Sequence, residues 1–310
     1  MSVKVGYFPS NNSLWVLRHR GILERTLPGV EWVDLRSLPA GARPSPAEGL
    51  PSPHGDHLFD GGYDFIGTGS TPPVTAQAKG HDIVYVAVSD PRHENGRLVA
   101  RAGSGIASPA DLKGRRVALG HGSWQTTLLL FALDGAGLTW DDIEPVDAYA
   151  GAADLFLGGE VDAWVGSYPA LTRVEAEAEL VTLVETEGLF SHRSLWFTRR
   201  DFAERHRDEL AAIVAALQES DAWIREDPAG AAALFAADDG GDVAAWENAL
   251  RRRPFGLRPV GAEFVAEQQR AADLFHAAGL IDREIDVAAA VLPELAGLVE
   301  RTGPAAVPAG

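Results

Sequence analysis

The stretch YDFIGTGSTPPVTAQAKG, residues 63–80, decides the fold of this chain. Its first residues are typical of a buried strand, predicted over 63–67, and the chain then passes through Gly, Thr, Gly and Ser. Two prolines follow Thr71, where proline costs little because the first amides of a helix have no intrahelical partner. The stretch therefore predicts a strand, a turn of small residues and a short helix over 73–79.

Two other predicted strands end in the same kind of turn. The sequence PSNNS follows Phe8, and GHGSW follows Leu119, each ahead of a helical pattern. Ligands in open α/β sheets lie beyond the carboxyl ends of the strands, and each helix start offers unpaired amides and about half a positive charge. Together the three turns predict a site for an anion. For each turn taken alone, a purely structural strand-to-helix connection is the alternative.

The order of the predicted elements indicates the fold class. Strand and helix patterns alternate over most of the chain, and the pattern is helical from residue 201 to the end. Alternation predicts an α/β fold built on open, mostly parallel sheets. The length of 310 residues favours two lobes, because one compact core rarely holds so many. Residues 39–58, rich in Pro, Gly and Ala, are predicted to form a long ordered loop.

The composition excludes several kinds of partner and site. The 44 Asp and Glu residues against 27 Lys and Arg give a formal charge of -17, which repels phosphate backbones, so no nucleic-acid partner is expected. The absence of cysteine excludes thiolate metal sites and thiol nucleophiles. No apolar run is long enough to span a bilayer, so no membrane insertion is expected. The start, MSVKVGYFPS, lacks an apolar signal region and predicts a cytoplasmic protein, or a periplasmic or extracellular one whose export signal was removed.

Three long segments resemble a known family. They are DFIGTGSTPPVTAQAKGHDIVYVA at 64–87, SPADLKGRRVALGHGSWQTTLLLFALDGAGLTWDDIEPV at 108–146 and GGEVDAWVGSYPAL at 158–171. In this order they are similar to the solute-binding proteins for aliphatic sulfonates, taurine and nitrate. The resemblance covers most of the chain and implies a two-lobed type II periplasmic-binding-protein (Venus-flytrap) fold with C-terminal helices.

The resemblance also implies how the chain divides between the lobes. Lobe I would comprise residues 1–88 and 195–310, including the C-terminal helices, and lobe II residues 89–194. The expected hinge segments lie near 86–100 and 186–200.

The family's ligand-contacting positions fall on the predicted turns and on the return crossover between the lobes. The positions implied by the resemblance are Ser10, Asn11, Asn12, Gly69, Ser70, Thr71, Gly122, Ser123, Trp124, Asp162, Trp164, His192, Arg193 and Trp196. To these we add His121, which lies in a pocket turn and could bind a ligand oxygen or cap the loop. The implied function is capture of a small anionic organic molecule in the interlobe cleft, as the solute-binding component of an ABC importer. The implied partner is the ABC permease, and no cofactor or metal is expected.

Several of these residues carry a structural alternative. Arg193 could pair bidentately with a sulfonate or carboxylate, or could lie on the surface. Each of the three tryptophans could stack on an organic ligand or could belong to a hydrophobic core. The basic run RRRP at 251–254 is interpreted as the solvated end of a helix.

The same fold also hosts cytoplasmic enzymes, which leaves a second functional interpretation open. The chain could be a cofactor-independent lyase, dehydratase or hydrolase acting on a small aromatic or sulfur-containing acid. His57, with Asp56 and Asp60 close in sequence, would then be the acid–base residue, because imidazole titrates near neutral pH. Desulfination through a cysteine is excluded, since the chain has none.

Overall fold

The computed structural model describes residues 2–38, 49–50, 53–92, 96–148 and 151–302. Ten strands lie within these ranges and form two five-stranded sheets. The strands are β1 (Lys4–Tyr7), β2 (Glu31–Asp34), β3 (Phe65–Thr68), β4 (Ile83–Val88), β5 (Gly96–Arg101), β6 (Arg116–Leu119), β7 (Glu144–Asp147), β8 (Ala163–Ser167), β9 (Leu180–Glu185) and β10 (Leu195–Arg199).

Helices pack against both sheets and dominate the chain after β10. The helices are α1 (Asn12–His19), α2 (Pro53–Phe59), α3 (Thr71–Ala78), α4 (Trp124–Gly135), α5 (Ala152–Leu157), α6 (Ala170–Glu177), α7 (Arg200–Arg205), α8 (Arg207–Glu226), α9 (Pro228–Asp239), α10 (Val243–Arg251), α11 (Ala262–Ala277) and α12 (Pro293–Thr302). Among the described residues, none of these helices combines the length and the apolarity needed to cross a membrane.

Both sheets are mixed and share one plan. The first has the strand order β2-β1-β3-β10-β4, with β1 parallel to β2 and β3 and with β10 antiparallel to its neighbours. The second has the order β7-β6-β8-β5-β9, with β6 parallel to β7 and β8 and with β5 antiparallel to its neighbours. The chain passes from the first sheet to the second between β4 and β5, and returns between β9 and β10. The predicted α/β fold with C-terminal helices is confirmed.

The cores follow from the sequence patterns. All six residues of β4 are buried, which explains its unbroken apolar run IVYVAV. The long helix α8 places Leu210, Ile213 and Leu217 on one buried face at helical spacing, against the first sheet and α1. Each such leucine or isoleucine contributes about 1.5–3 kcal/mol by leaving water.

Two local predictions were wrong. The segment 39–58 was expected to be a loop throughout, but its end forms α2, which packs on α3 and buries Leu58 completely. Residues 39–48 and 51–52 lie outside the described residues. The helix after the opening stretch begins at Thr71, two residues earlier than predicted, because both following prolines fit within its first turn.

Candidate functional site

The turn after β1 leaves one buried donor facing inward. Asn11 caps α1, since its Oδ1 accepts from the Leu14 amide at 3.0 Å, and this contact identifies Nδ2 as the remaining donor. That Nδ2 is buried, and it has no hydrogen-bond partner among the described residues. The neighbouring Asn12 donates to the Pro9 carbonyl at 2.8 Å and accepts from Arg253. Ser10 is exposed on the same turn.

A second buried donor, Trp196 Nε1, lies close to Asn11 Nδ2 at Gly67 of β3. A β-carbon placed at Gly67 would lie 2.3 Å from Asn11 Nδ2 and 2.8 Å from Trp196 Nε1. Trp196 is 1% exposed, and its Nε1 has no described acceptor either. A buried donor without an acceptor costs about 1–3 kcal/mol, so two of them side by side indicate a place for a ligand acceptor.

A pocket with an empty volume of about 250 Å³ opens from Trp196. Its walls come from the start of α1, from both connections between the sheets, from β10, from α8 and from the segment after α10. The lining residues are Asn12, Ser13, Ser89, Arg92, Ser194, Trp196, Asp221, Arg253, Pro254 and Phe255. The pocket therefore draws on parts of the chain that are more than 200 residues apart.

Arg92 supplies a buried positive charge to this pocket. Only 7% of the residue is exposed, and burial, together with the positive charge of Arg253, lowers its pKa well below the ordinary value. One guanidinium nitrogen donates to Ser194 Oγ, whereas Nε has no partner among the residues described. A buried cation is strongly stabilised by a paired anion, because the low dielectric that penalises the charge also strengthens the attraction.

Asp221 places a carboxyl group in the same pocket. It lies on α8, is fully buried, and accepts from the Gly256 amide at 2.8 Å. Burial raises its pKa to about 6, although hydrogen bonding and the charges of Arg225 and Arg92 act in the lowering direction. The pocket thus combines two arginines with one carboxyl group that titrates close to neutrality.

The other two predicted turns meet each other directly. Ser70 Oγ and Thr127 Oγ1 are 2.9 Å apart, and Thr71 Oγ1 donates to the Ser123 carbonyl at 2.7 Å. These bonds join the start of α3, beside the first sheet, to the start of α4, beside the second. The hydroxyls of Ser70 and Thr71 therefore have protein partners. Gly69 lies under Trp124, whose Cβ would be 3.2 Å from a β-carbon at that glycine.

The turn before α4 is held by its own hydrogen bonds. The His121 amide donates to Asp147 Oδ1 at 3.1 Å, and its ring Nε2 lies 2.7 Å from the Gly49 carbonyl. Gly122, with φ of 80°, donates its amide to Thr126 Oγ1 at 3.0 Å. Ser123 caps α4 through its hydroxyl. These contacts correspond to the loop-cap alternative for His121.

His192 and Trp124 stack where the chain returns to the first sheet. Their ring centroids are 3.7 Å apart, and His192 is 1% exposed with φ of 45°, in the left-handed region. Burial and the charges of Arg92 and Arg253 lower the pKa of His192 well below its ordinary value, so its ring is neutral. Its neighbour Arg193 donates to the Ser89 carbonyl at 2.6 Å and is half-buried, which ties the two connections between the sheets together.

Asp162 and Trp164 lie away from the pocket. Asp162 precedes β8 and accepts from the Arg116 amide at 2.9 Å, at the amino end of β6, whereas the turn before α4 follows the carboxyl end. This position does not favour the ligand contact that the resemblance implied for Asp162. Trp164 is 3% exposed and packs on Phe156, with ring centroids 5.9 Å apart, which is the core alternative.

His57 lies on α2 beside the amino end of β3. Its carbonyl accepts from the Gly62 amide at 2.9 Å, and its ring centroid is 6.3 Å from that of Tyr63. The buried donors without described acceptors, Asn11 Nδ2 and Trp196 Nε1, lie instead at the opposite end, the carboxyl end, of the parallel strands β1 and β3. This placement does not favour the acid–base role that the enzyme interpretation assigned to His57.

Three charged pocket residues were missed by the sequence analysis. Arg253 belongs to the RRRP run interpreted as a solvated helix end, but it lines the pocket and bonds to Asn12. Arg92 and Asp221 lie in a polar turn and on a helix with no local motif. The helical period of α8 could have placed Asp221 on its buried face, because it follows Leu217 and precedes Ile224 on that face.

The chain is similar to a family of known proteins. Residues 52–231, more than half of the chain, match the family model described as NMT1/THI5 like. A protein of Escherichia coli (strain K12) named for binding aliphatic sulfonates is 32% identical over 292 residues, which are 92% of this chain and 87% of that protein.

Two solved structures share the fold closely. The periplasmic aliphatic sulphonate binding protein SsuA from Escherichia coli aligns with a TM-score of 0.80 and 29% identity, over 94% of this chain and 92% of that one. The alkanesulfonate-binding protein SsuA from Xanthomonas axonopodis pv. citri, bound to MOPS, aligns with a TM-score of 0.79 and 29% identity, over 94% and 98%. The resemblance found in the sequence is thereby confirmed: the chain belongs to the NMT1/THI5-like family, with aliphatic sulfonate-binding proteins as close homologues.

Proposed function

We propose that this protein is the solute-binding component of an ABC importer and that it captures a small organic anion, of the sulfonate or carboxylate kind. The observation that carries the proposal is a set of buried donors with no acceptor among the described residues. Trp196 Nε1 and Arg92 Nε belong to pocket-lining residues, and Asn11 Nδ2 lies beside Trp196 Nε1 at Gly67. A sulfonate offers three acceptor oxygens and one negative charge, which match these donors and the Arg92 charge. The names of the similar proteins support the same class of ligand.

The proposed mechanism is closure of two lobes over the anion. Lobe I would comprise residues 1–88 and 195–310 and lobe II residues 89–194, with hinges in the two connections between the sheets. Trp124 and His192, stacked at the edge of the second sheet, would cover the organic part of the ligand. The closed form would then dock on the permease. Since the similar protein SsuA from Escherichia coli is named as periplasmic, we propose a location outside the cytoplasm.

Calorimetric titration with pentanesulfonate tests the proposal. We expect saturable binding of the sulfonate and no binding of pentanol, because the alcohol lacks the charge that Arg92 requires. The buffer must be an amine such as Tris, since sulfonate-bearing buffers would compete. Equal heats for the alcohol and the sulfonate, or none for either, would contradict the proposed function.

The variant Arg92→Met tests whether the anion binds in this pocket. Arg92→Met keeps the apolar stem and removes the charge, and we expect the affinity for pentanesulfonate to fall about 30-fold or more, the loss typical of a buried charged partner. Arg207→Met is the matched control, because Arg207 lies on the exposed surface of α8. Unchanged affinity in Arg92→Met would place the anion elsewhere.

A further inference from the structure

The pocket contains a carboxyl group, which would repel a bound anion whenever it is ionised. Asp221 is fully buried and shares the pocket walls with Arg92 and Arg253. A like charge beside a bound anion costs free energy, and the cost is largest where water is excluded. A bound anion therefore makes the ionised form of Asp221 less favourable, and because a sulfonate, the anion of a strong acid, stays charged, Asp221 is the group of the two that can become neutral.

The groups that face Asp221 come from four segments. Arg225 lies one turn later on α8, Ser13 lies at the start of α1, Arg92 lies on the first connection between the sheets, and Arg253 lies beyond α10. The Gly256 amide donates to Oδ2 at 2.8 Å. His192 is near the same arginines but stays neutral, since its pKa is lowered well below the ordinary value. Of the titratable groups around this pocket that the structure describes, Asp221 is therefore the one able to change charge near neutral pH.

We propose that Asp221 couples capture of the anion to uptake of one proton from solvent. This inference rests on the proposed function and adds a regulation to the same site. The proton goes to the carboxyl oxygen that does not accept from Gly256, so the pocket gains one negative charge from the ligand and loses one from Asp221. Arg92 and Arg253 then face a single anion instead of two.

The sign of the pH dependence follows from linkage. The pKa of Asp221 in the ligand-free protein is about 6, and a neighbouring anion raises it further. Below about pH 6 the carboxyl group is already neutral and the affinity is highest, whereas at higher pH each binding event must also draw a proton from solvent. We expect the Kd for ethanesulfonate to be about tenfold weaker at roughly pH 8 than at roughly pH 5.

Calorimetry on the full chain measures the coupling directly. Ethanesulfonate does not titrate in this range, so any pH dependence of its Kd reports on the protein. At about neutral pH the titration is repeated in Tris and in bis-Tris, whose ionisation enthalpies differ, and the difference in heat counts the protons taken up. We expect an average uptake of about half a proton per ligand, which is what a tenfold change in Kd implies close to the pKa. A Kd that is constant across the range, with no uptake, would overturn the inference while leaving the proposed function intact.

Two variants assign the proton to its residue. Asp221→Asn imitates the neutral carboxyl group, so its Kd should be nearly independent of pH, about tenfold tighter than wild type at roughly pH 8, and without proton uptake. Asp208→Asn removes the same charge from the exposed surface of α8 and should keep the wild-type pH profile. Persistence of the full pH dependence in folded Asp221→Asn would exclude Asp221. Absence of sulfonate binding to the wild type at every pH would instead overturn the proposed function.

Discussion

Gly67 leaves open the space in which the two buried donors of the candidate site meet. Any larger residue would occupy the point that lies 2.3 Å from Asn11 Nδ2 and 2.8 Å from Trp196 Nε1. The neighbouring strand supplies Trp196 directly opposite, because β10 pairs antiparallel with β3 and places Trp196 against Gly67. The requirement for glycine here is therefore steric, and it concerns access of a ligand oxygen to both donors.

Replacing this glycine tests the donor pair. We expect Gly67→Ala to weaken sulfonate binding about tenfold or more, because the methyl group displaces the Asn11 amide or the Trp196 indole. Gly29→Ala is the control, since a β-carbon at Gly29 meets nothing within 4 Å. Titration calorimetry and thermal unfolding are measured together. Wild-type affinity in a folded Gly67→Ala protein would exclude a ligand at this point.

The raised pKa of Asp221 also leads to a prediction about the stability of the ligand-free protein. Because burial raises its pKa from 3.8 to about 6, the neutral carboxyl group is favoured in the folded state, and this favourable contribution is lost as pH rises through about 6. We expect ligand-free Asp221→Asn to exceed wild type in unfolding free energy by about 3 kcal/mol at most, reached above about pH 7. The gap should shrink toward zero at about pH 4. Urea unfolding at several pH values checks this, and a gap that grows on acidification would contradict it.

Hydroxyl groups hold the starts of α3 and α4 together. Thr127 contacts Ser70 Oγ at 2.9 Å and Thr71 Oγ1 at 3.0 Å, and all three residues are buried. One helix belongs to the first sheet and the other to the second, so these bonds stabilise the approach of the two halves. Two of the three helix starts that predicted an anion site therefore serve, in this structure, as a direct contact between the proposed lobes.

Removing the shared hydroxyl tests this contact. Thr127→Val keeps the shape of the side chain and should weaken the closed form by about 1 kcal/mol, the usual value of a buried hydrogen bond. We expect a larger radius of gyration in solution scattering without ligand, and a modest loss of affinity, about fivefold. Thr75→Val is the control, because the bond that its hydroxyl makes among the described residues goes to the Pro72 carbonyl within α3. An unchanged radius and affinity in Thr127→Val would exclude a role in closure.

The two sheets are connected by more than the chain crossovers. Arg252, just beyond α10, stacks its guanidinium 4.1 Å from the Tyr168 ring beside the second sheet, while the adjacent Arg253 reaches the pocket and Asn12. The C-terminal helices thus contact both halves and contribute to the pocket.

The absence of cysteine permits a clean test of lobe motion. The Ser70 and Thr127 hydroxyls are 2.9 Å apart, close enough for the double variant Ser70→Cys with Thr127→Cys to form a disulfide. We expect the oxidised protein to exchange sulfonate about 100-fold more slowly than the reduced protein, because closure controls entry and release. Stopped-flow tryptophan fluorescence measures both rates. Equal rates in the two redox states would show that ligand exchange does not require separation at these helix starts.

The order of strands and helices, and the positions of the turns, could be predicted from the sequence alone. Strand and helix periods are local, and so are the signals of small residues and prolines at 67–73 that end one element and begin the next. Asn11 was predicted as a ligand-contacting residue from its turn and from the family resemblance, and Trp196 from the resemblance alone; both assignments stay predictions. The segment at 53–59 escaped this reasoning because its Pro- and Gly-rich composition is typical of a loop, while contact with α3 makes it a helix.

The identity of the charged groups in the pocket was decided by the tertiary structure. Arg92, Asp221 and Arg253 come from a turn, a helix and the residue run beyond another helix, and no local pattern connects them. Their burial, their hydrogen-bond partners and the shifted pKa values of Arg92 and Asp221 depend on how the C-terminal helices fold back over the first sheet. The same holds for Ser70 and Thr71, whose turn is evident in the sequence but whose hydroxyls meet Thr127 only because the two sheets pack together. Periodicity is a property of neighbours along the chain, whereas electrostatic pairing and desolvation are properties of neighbours in space.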